Sequence, residues 1–250
     1  MKKLFFMGFA LLLCAMWPAD AAAQLKIGGR KLNTGKLLEA GKDVAKAVTL
    51  SDKDIADLSR EAVEWMDANN PIADETTEYG ARLKRLTEGI TEINGLPLNF
   101  KVYHVVDVNA FACGDGSIRV FSALMDLMDD DELMAIIGHE IGHVVHADVK
   151  HAMKNAYLSS AARNAAGAAE GSTLAKLSDS QLGEVVTAFT GAQFSQKQEY
   201  AADEYGFEFS VKNGFSPYGM SNSLNKLVEL SKGAKASTVQ KMFSSHPDSE

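Results

Sequence analysis

The sequence predicts an α+β fold, mostly helical with one small β-sheet. Three observations predict it. Apolar residues recur at helical spacing through most of the chain. One run, residues 96–121, turns instead to strand formers broken by Gly114-Asp115-Gly116. Helical spacing then resumes after Ser122 with Leu124, Leu127 and Met128. The chain has 250 residues, 46% hydrophobic and 23% charged. That composition excludes a disordered tail, a collagen-like repeat and a multipass membrane protein. A formal net charge of −8 argues against nucleic acid as a partner, because phosphate binding needs clustered Lys and Arg.

Lys2 and Lys3 precede an uncharged apolar run, Leu4 to Trp17. Pro18 breaks the run, and Ala21-Ala22-Ala23 supply small residues. This is the layout of a secretory signal peptide over residues 1–23, cleaved after Ala23. Two other readings fit less well. The run is short for an uncleaved anchor, and Leu13 stands before Cys14 where lipoprotein processing wants a small residue. Cleavage leaves Cys113 as the single thiol, so no internal disulfide is expected. Cys113 reads as a small buried hydrophobe.

The N-terminal part, residues 24–95, is expected to be helical after an extended entry over 24–34. Leu37, Leu38, Val44, Ala45 and Val48 give a helix over 36–48. Ser51 to Asp54 reads as a helix cap. The helix it starts carries Ile55, Leu58, Ala62, Trp65 and Met66 and ends at Asn69-Asn70-Pro71. A further helix is expected from about Asp74 to Ile93, stopped by Asn94-Gly95. Strands follow: Phe100 to Val108, then Phe111-Ala112-Cys113 and Ile118 to Phe121 about a hairpin turn. Asp129 and Glu132 cap a helix that carries Leu133, Ile136, Ile137, Ile141, Val144 and Val145 and is expected to continue past His151. Helices over 182–189, 197–209 and 217–230 complete the chain. Met125, Met128 and Met134 read as core filler, and His104 as structural.

The stretch that carries chemistry is Gly138-His139-Glu140-Ile141-Gly142-His143. On a helix, His139 and His143 lie one turn apart on one face, so both imidazoles can bind one zinc ion (Zn2+). Glu140 neighbours the first of them. It can take a proton from the water that zinc acidifies and return it to a leaving amine. A third ligand is needed. One extension of this motif wants Gly and His where His146 and Val149 stand, which excludes it. Among later glutamates, Glu199 stands out because Asp203 follows it by four residues. Glu199 can ligate the ion while Asp203 accepts from the free ring nitrogen of a ligand histidine. Glu204 and Glu208 read as a solvated face. His146 is poorly placed as a ligand, one turn beyond His143.

With these residues, the sequence resembles the HtpX-like and CAAX-prenyl-protease-like zinc metallopeptidases, in their exported LoiP/BepA-like branch. The resemblance rests on His139–His143 and on Glu199-Tyr200-Ala201-Ala202-Asp203. It also rests on Asn109-Ala110-Phe111-Ala112, Phe194-Ser195, Tyr205-Gly206 and His246-Pro247. It spans roughly residues 75–250. It implies a mostly helical zincin-like metallopeptidase, one zinc per active site, and endopeptidase activity in envelope protein quality control. Residues 24–250 then form a single metallopeptidase domain, with zinc-site helices over 122–250. Three features depart from the family pattern. Gln196 stands where many relatives carry Arg, Ala201 where several carry an acidic residue, and Cys113-Gly114-Asp115-Gly116 replaces another type of turn. The chain ends three residues after Pro247 where relatives continue with another helix, as a C-terminally shortened sequence would.

The resemblance gives His246 a site role, either as a donor to the tetrahedral oxyanion or as an occupant of the open zinc position that holds the enzyme latent. Asn109, Ala110 and Phe111 are candidates for an edge strand that pairs with an extended substrate. The leading expectation is therefore a zinc-dependent metalloendopeptidase. It would be exported to the bacterial periplasm, free or associated with the outer membrane, and act on unfolded or misassembled proteins. The alternative is a latent zinc-binding chaperone or assembly factor with little proteolysis. The oligomeric state is left open.

Overall fold

The computed structural model describes residues 51–167, 179–232 and His246, and the backbone of 26–27 and 30–31. The signal peptide, the helix expected over 36–48 and Pro247 lie outside the described residues. Near the N-terminus, β1 (Lys26–Ile27) pairs antiparallel with β2 (Arg30–Lys31).

Helix α1 (Asp52–Asn69) starts as its sequence dictates. The Asp54 N–H donates to Ser51 Oγ at 3.2 Å, and the Ser51 N–H donates to the Asp54 carboxylate at 2.8 Å. Its buried face carries Ile55, Leu58, Ala62, Val63 and Met66, the helical period of the sequence. Strand β3 (Ile72–Ala73) leads to α2 (Glu78–Leu86). The single helix expected over 74–93 is thus shorter. The Thr87 hydroxyl donates to Leu83 O, and Gly89 turns to φ 80°. Residues 92–97 form a hairpin instead, β4 (Glu92–Ile93) with β5 (Leu96–Pro97). Asn94 and Gly95, at φ 52° and 78°, supply the left-handed turn that such hairpins need.

The main sheet has four strands in the order β3, β6 (Asn99–Tyr103), β8 (Ser117–Phe121), β7 (Ala110–Ala112). β6 and β8 run parallel, with Val102 opposite Val120, and β7 and β8 run antiparallel, with Phe111 opposite Arg119. β6 stops at Tyr103 rather than continuing to Val108. Ser122 Oγ accepts from the Val105 N–H and donates to Val105 O, so the segment is tied down outside the ladder. The turn at 114–116 joins β7 and β8 as the glycines predict. One polar knot fastens α1 to this sheet. Arg119, 1% exposed, donates through Nε (2.9 Å) and Nη2 (3.0 Å) to the two oxygens of Asp67. Lys101 Nζ and the Tyr103 hydroxyl donate to the same carboxylate, each at 2.7 Å.

After α3 (Ser122–Leu127) comes α4 (Asp130–Val145), the helix at the centre of the fold. Asp129 and Glu132 form the expected capping box, and every side chain from Glu132 to Val144 is buried. α4 packs against β7 and β8, and against α7 (Gln196–Lys212) and α8 (Gly219–Ser231). Glu132 is also paired with Lys226 of α8. The helix does not run past His151. It ends at Val145, Ala147 takes φ 62°, and α5 (Asp148–Gly167) starts in a new direction. α6 (Asp179–Thr190) packs on α5 and α1. Cys113, Met125, Met128 and Met134 all lie in the core. Burial pushes the Cys113 thiol well above its ordinary pKa, so it is held neutral. The α+β expectation, mostly helical with one small sheet, is met. Among the described residues, no helix is long and apolar enough to cross a membrane.

Candidate metal centre

Two helices packed on each other build the centre. α4 presents His139 and His143 one turn apart, as the spacing predicts, and their Nε2 atoms are 3.1 Å from each other. α7 presents Glu199, 3% exposed. Its Oε2 lies 3.6 Å from His139 Nε2 and its Oε1 lies 3.5 Å from His143 Nε2. His246, 107 positions from His139 in sequence, brings Nδ1 to 3.3 Å from His139 Nε2 and 3.3 Å from each oxygen of Glu199. One donor atom from each of these four residues falls within a mutual 4.8 Å.

The far side of each imidazole decides what its near side offers. His139 Nδ1 lies 2.8 Å from Asp203 Oδ1, and His143 Nδ1 lies 3.0 Å from Asp148 Oδ2. A carboxylate only accepts, so each Nδ1 carries the proton and donates. In the neutral rings that a metal needs, each Nε2 then turns a lone pair inward, at a mutual distance of 3.1 Å. Converging lone pairs beside a carboxylate call for a cation. Two donors at ~2.0–2.1 Å from a tetrahedral zinc would lie roughly 3.3 Å apart. The separations here run from 3.1 to 3.6 Å, so the donor set fits such an ion.

The charge balance agrees. Burial works against a charged His139, yet the hydrogen bond to Asp203 and the carboxylates of Glu140, Asp203 and Glu199 outweigh it and raise its pKa. A divalent cation among these carboxylates would supply the positive charge in place of that proton. Burial dominates at His143 and lowers its pKa, favouring the neutral ring that a metal needs. At Asp148, burial is overcome by the hydrogen bonds from His143 and Gln198, and the carboxyl is held below its usual range.

Glu140 is 2% exposed, and its Oε1 has no hydrogen-bond partner among the described residues. That oxygen lies 3.6 Å from His246 Nε2. A cleft opens beside it, lined by Asn109, Ala110, Phe111, Ala112, Phe194 and His246. β7, which carries Ala110 to Ala112, is the terminal strand of the sheet. Asn109 is buried with its Oδ1 also lacking a partner among the described residues. Phe194 stacks on His143, ring centroids 4.1 Å apart and 20° between planes.

The structure thus brings His139, Glu140, His143, Glu199, Asp203 and His246 to one place, with Asn109 to Phe111 along its rim. His146 lies apart, capping the end of α4 and meeting Tyr205 edge-on. Glu204 and Glu208 are exposed. Asp148 is the functional contact that sequence reasoning missed. It stands five residues past His143, a spacing that an unbroken helix would turn away from the ring. A signal lay in the acidic residue itself, since Asp is favoured at the start of a new helix.

Comparison with known proteins gives a family. The profile of peptidase family M48 matches residues 79–250. The chain is 40% identical to the metalloprotease LoiP of Escherichia coli K12 over 236 residues, 94% of this chain and 92% of that protein. It is 37% identical to the metalloprotease YcaL of the same organism over 219 residues, 87% of this chain and 84% of that one. The beta-barrel assembly-enhancing protease of E. coli K12 is 31% identical over 143 residues, 53% of this chain and 28% of that protein.

Proposed function

This chain belongs to peptidase family M48 and is a metalloprotease, and from that premise we propose that zinc is its metal and that proteins of the bacterial envelope are its substrates. The observation that carries the proposal is the convergence of His139 Nε2 and His143 Nε2 on the Glu199 carboxylate, beside the buried Glu140. His139, His143 and Glu199 hold the ion, and Asp203 orients His139. When bound, zinc polarises a scissile carbonyl and lowers the pKa of water toward neutrality. Glu140 takes the proton of the attacking water and delivers it to the departing amine. Its place next to His139 on α4, with Oε1 facing the cleft side of the site, supports that role.

Substrate enters along β7. An extended chain pairing with the edge strand Ala110–Ala112 would be held by its backbone, so many sequences would be accepted. That suits unfolded or misassembled proteins. Residues 1–23 support export to the periplasm. A relative named for enhancing β-barrel assembly supports a quality-control role near the outer membrane.

His246 supports a second state of the same enzyme. Its Nδ1 lies 3.3 Å from His139 Nε2 and from Glu199 Oε1, so it would be able to join them as a ligand in place of water. With His246 as a further ligand the enzyme would be latent, and proteolysis would require His246 to leave. The direct test is degradation of casein by the zinc-loaded full chain. Removing zinc with a chelator and substituting Glu140→Gln should each abolish it. Cleavage that persists under both would sink the proposal.

A further inference from the structure

We propose that Asp148 and Gln198 are a positioning pair that ties His143 to the helix bearing Glu199, and so holds the two halves of the metal site in register. The inference rests on the reading of this centre as a metal site and deepens it.

Asp148 is 5% exposed and uses both oxygens. Oδ2 accepts from His143 Nδ1 at 3.0 Å, and Oδ1 accepts from Gln198 Nε2 at 2.6 Å. Gln198 is constrained in turn. Its Oε1 accepts from the Ser195 N–H (2.9 Å) and hydroxyl (2.7 Å) in the capping box that starts α7. With its oxygen committed there, its amide N–H2 faces Asp148. The path runs from α4 through the first residue of α5 to α7, one residue before Glu199. Asp203 makes the other tie, from His139 to α7 four residues after Glu199. Glu199 is thus bracketed by two imidazole–carboxylate links. Only the Asp148 link needs the break at Ala147, whose φ of 62° brings Asp148 back under His143. A left-handed alanine is strained, and the return of Asp148 to the ring is what the turn achieves.

The test uses the full chain and two readouts, zinc affinity by competition with a chromogenic chelator and the 15N–1H signals of the zinc-bound histidine rings. Asp148→Asn should weaken zinc by about 10–100-fold, the usual effect of losing such a support, and shift the His143 Nδ1–H signal. Gln198→Glu keeps the capping box, because a glutamate accepts from Ser195 equally well. It places a like charge against Asp148 and should weaken zinc comparably with the fold intact. The double variant restores the pattern. The amide introduced at position 148 can accept from His143 through its oxygen and donate through its nitrogen to the carboxylate introduced at position 198. It should recover part of the affinity, which a role limited to helix stability would not produce. Wild-type affinity in Gln198→Glu, or a double variant weaker than both singles, overturns the pair. Failure of the wild-type chain to take up zinc would instead overturn the metal reading beneath it.

Discussion

Gly206 of α7 lies directly against His139 of α4: a Cβ built on Gly206 would come within 2.7 Å of the His139 backbone nitrogen. It would also meet Ala135 O at 2.9 Å and Met220 Cε at 2.6 Å. On the facing helix, a Cβ on Gly138 would meet Gly206 Cα and O at 3.0 Å. The two helices that carry the candidate ligands therefore touch backbone to backbone where they cross. That closeness lets a carboxylate as short as Glu199 reach imidazoles on α4.

Gly206→Ala should push α7 away from α4. The expected cost is about 1–3 kcal/mol of stability, as for other overpacked cores. Zinc affinity should fall as well, because Glu199 and Asp203 ride on the displaced helix. Chemical denaturation and a chelator competition measure the two effects, and unchanged zinc affinity would show that α7 absorbs the methyl locally.

Substitution of His246 separates its two candidate roles. If the imidazole blocks the fourth position, His246→Ala should raise casein turnover severalfold by enlarging the competent fraction. If it instead stabilises the oxyanion, turnover should drop by roughly 10²–10³-fold. Initial rates at saturating zinc decide between them.

Metal removal should also loosen the fold. The donors come from α4, α7 and His246, so an ion bound only by the folded chain stabilises it by linkage. With free zinc at a hundred times the dissociation constant, that contribution is about 2.7 kcal/mol. A chelator should lower the melting temperature, and Glu199→Ala should melt at the same temperature with or without zinc.

The Asp67 knot sets an acid limit. Burial acts to raise the Asp67 pKa, but hydrogen bonds from Arg119, Lys101 and Tyr103 outweigh it and hold the carboxyl below its ordinary 3.8. A group with a depressed folded pKa stabilises the fold above its unfolded value and loses that contribution as pH falls through the folded value. Stability from this knot should therefore be complete above about pH 5 and decline below pH 3.8. Asp67→Asn leaves Arg119 buried without its carboxylate and should cost about 3 kcal/mol at neutral pH. It should also flatten the acid limb of a stability–pH curve.

Much of the site could be read from the chain because its chemistry is local. Two histidines four apart lie on one helical face wherever the helix goes, and Glu199 with Asp203 repeats that relation. The capping boxes at Ser51 and Asp129 were equally legible, since each closes within four residues. The elements misjudged were those settled by contacts from afar. Nothing in Phe100 to Val108 announces that Ser122 will hold Val105 out of the sheet. Alanine is a strong helix former, so the left-handed turn at Ala147 left no mark in the sequence.

By itself, the sequence determined the α+β class, the imidazole pair on one helix and a carboxylate able to join them, because periodicity and side-chain chemistry travel with the chain. The tertiary structure alone decided that Asp148 turns back to His143, that Gln198 meets it, and how near His246, given a site role by the resemblance, stands to the donors. Those contacts join residues up to 107 positions apart. They depend on how closely α4 and α7 pack and on the turn at Ala147, and no local pattern encodes either one.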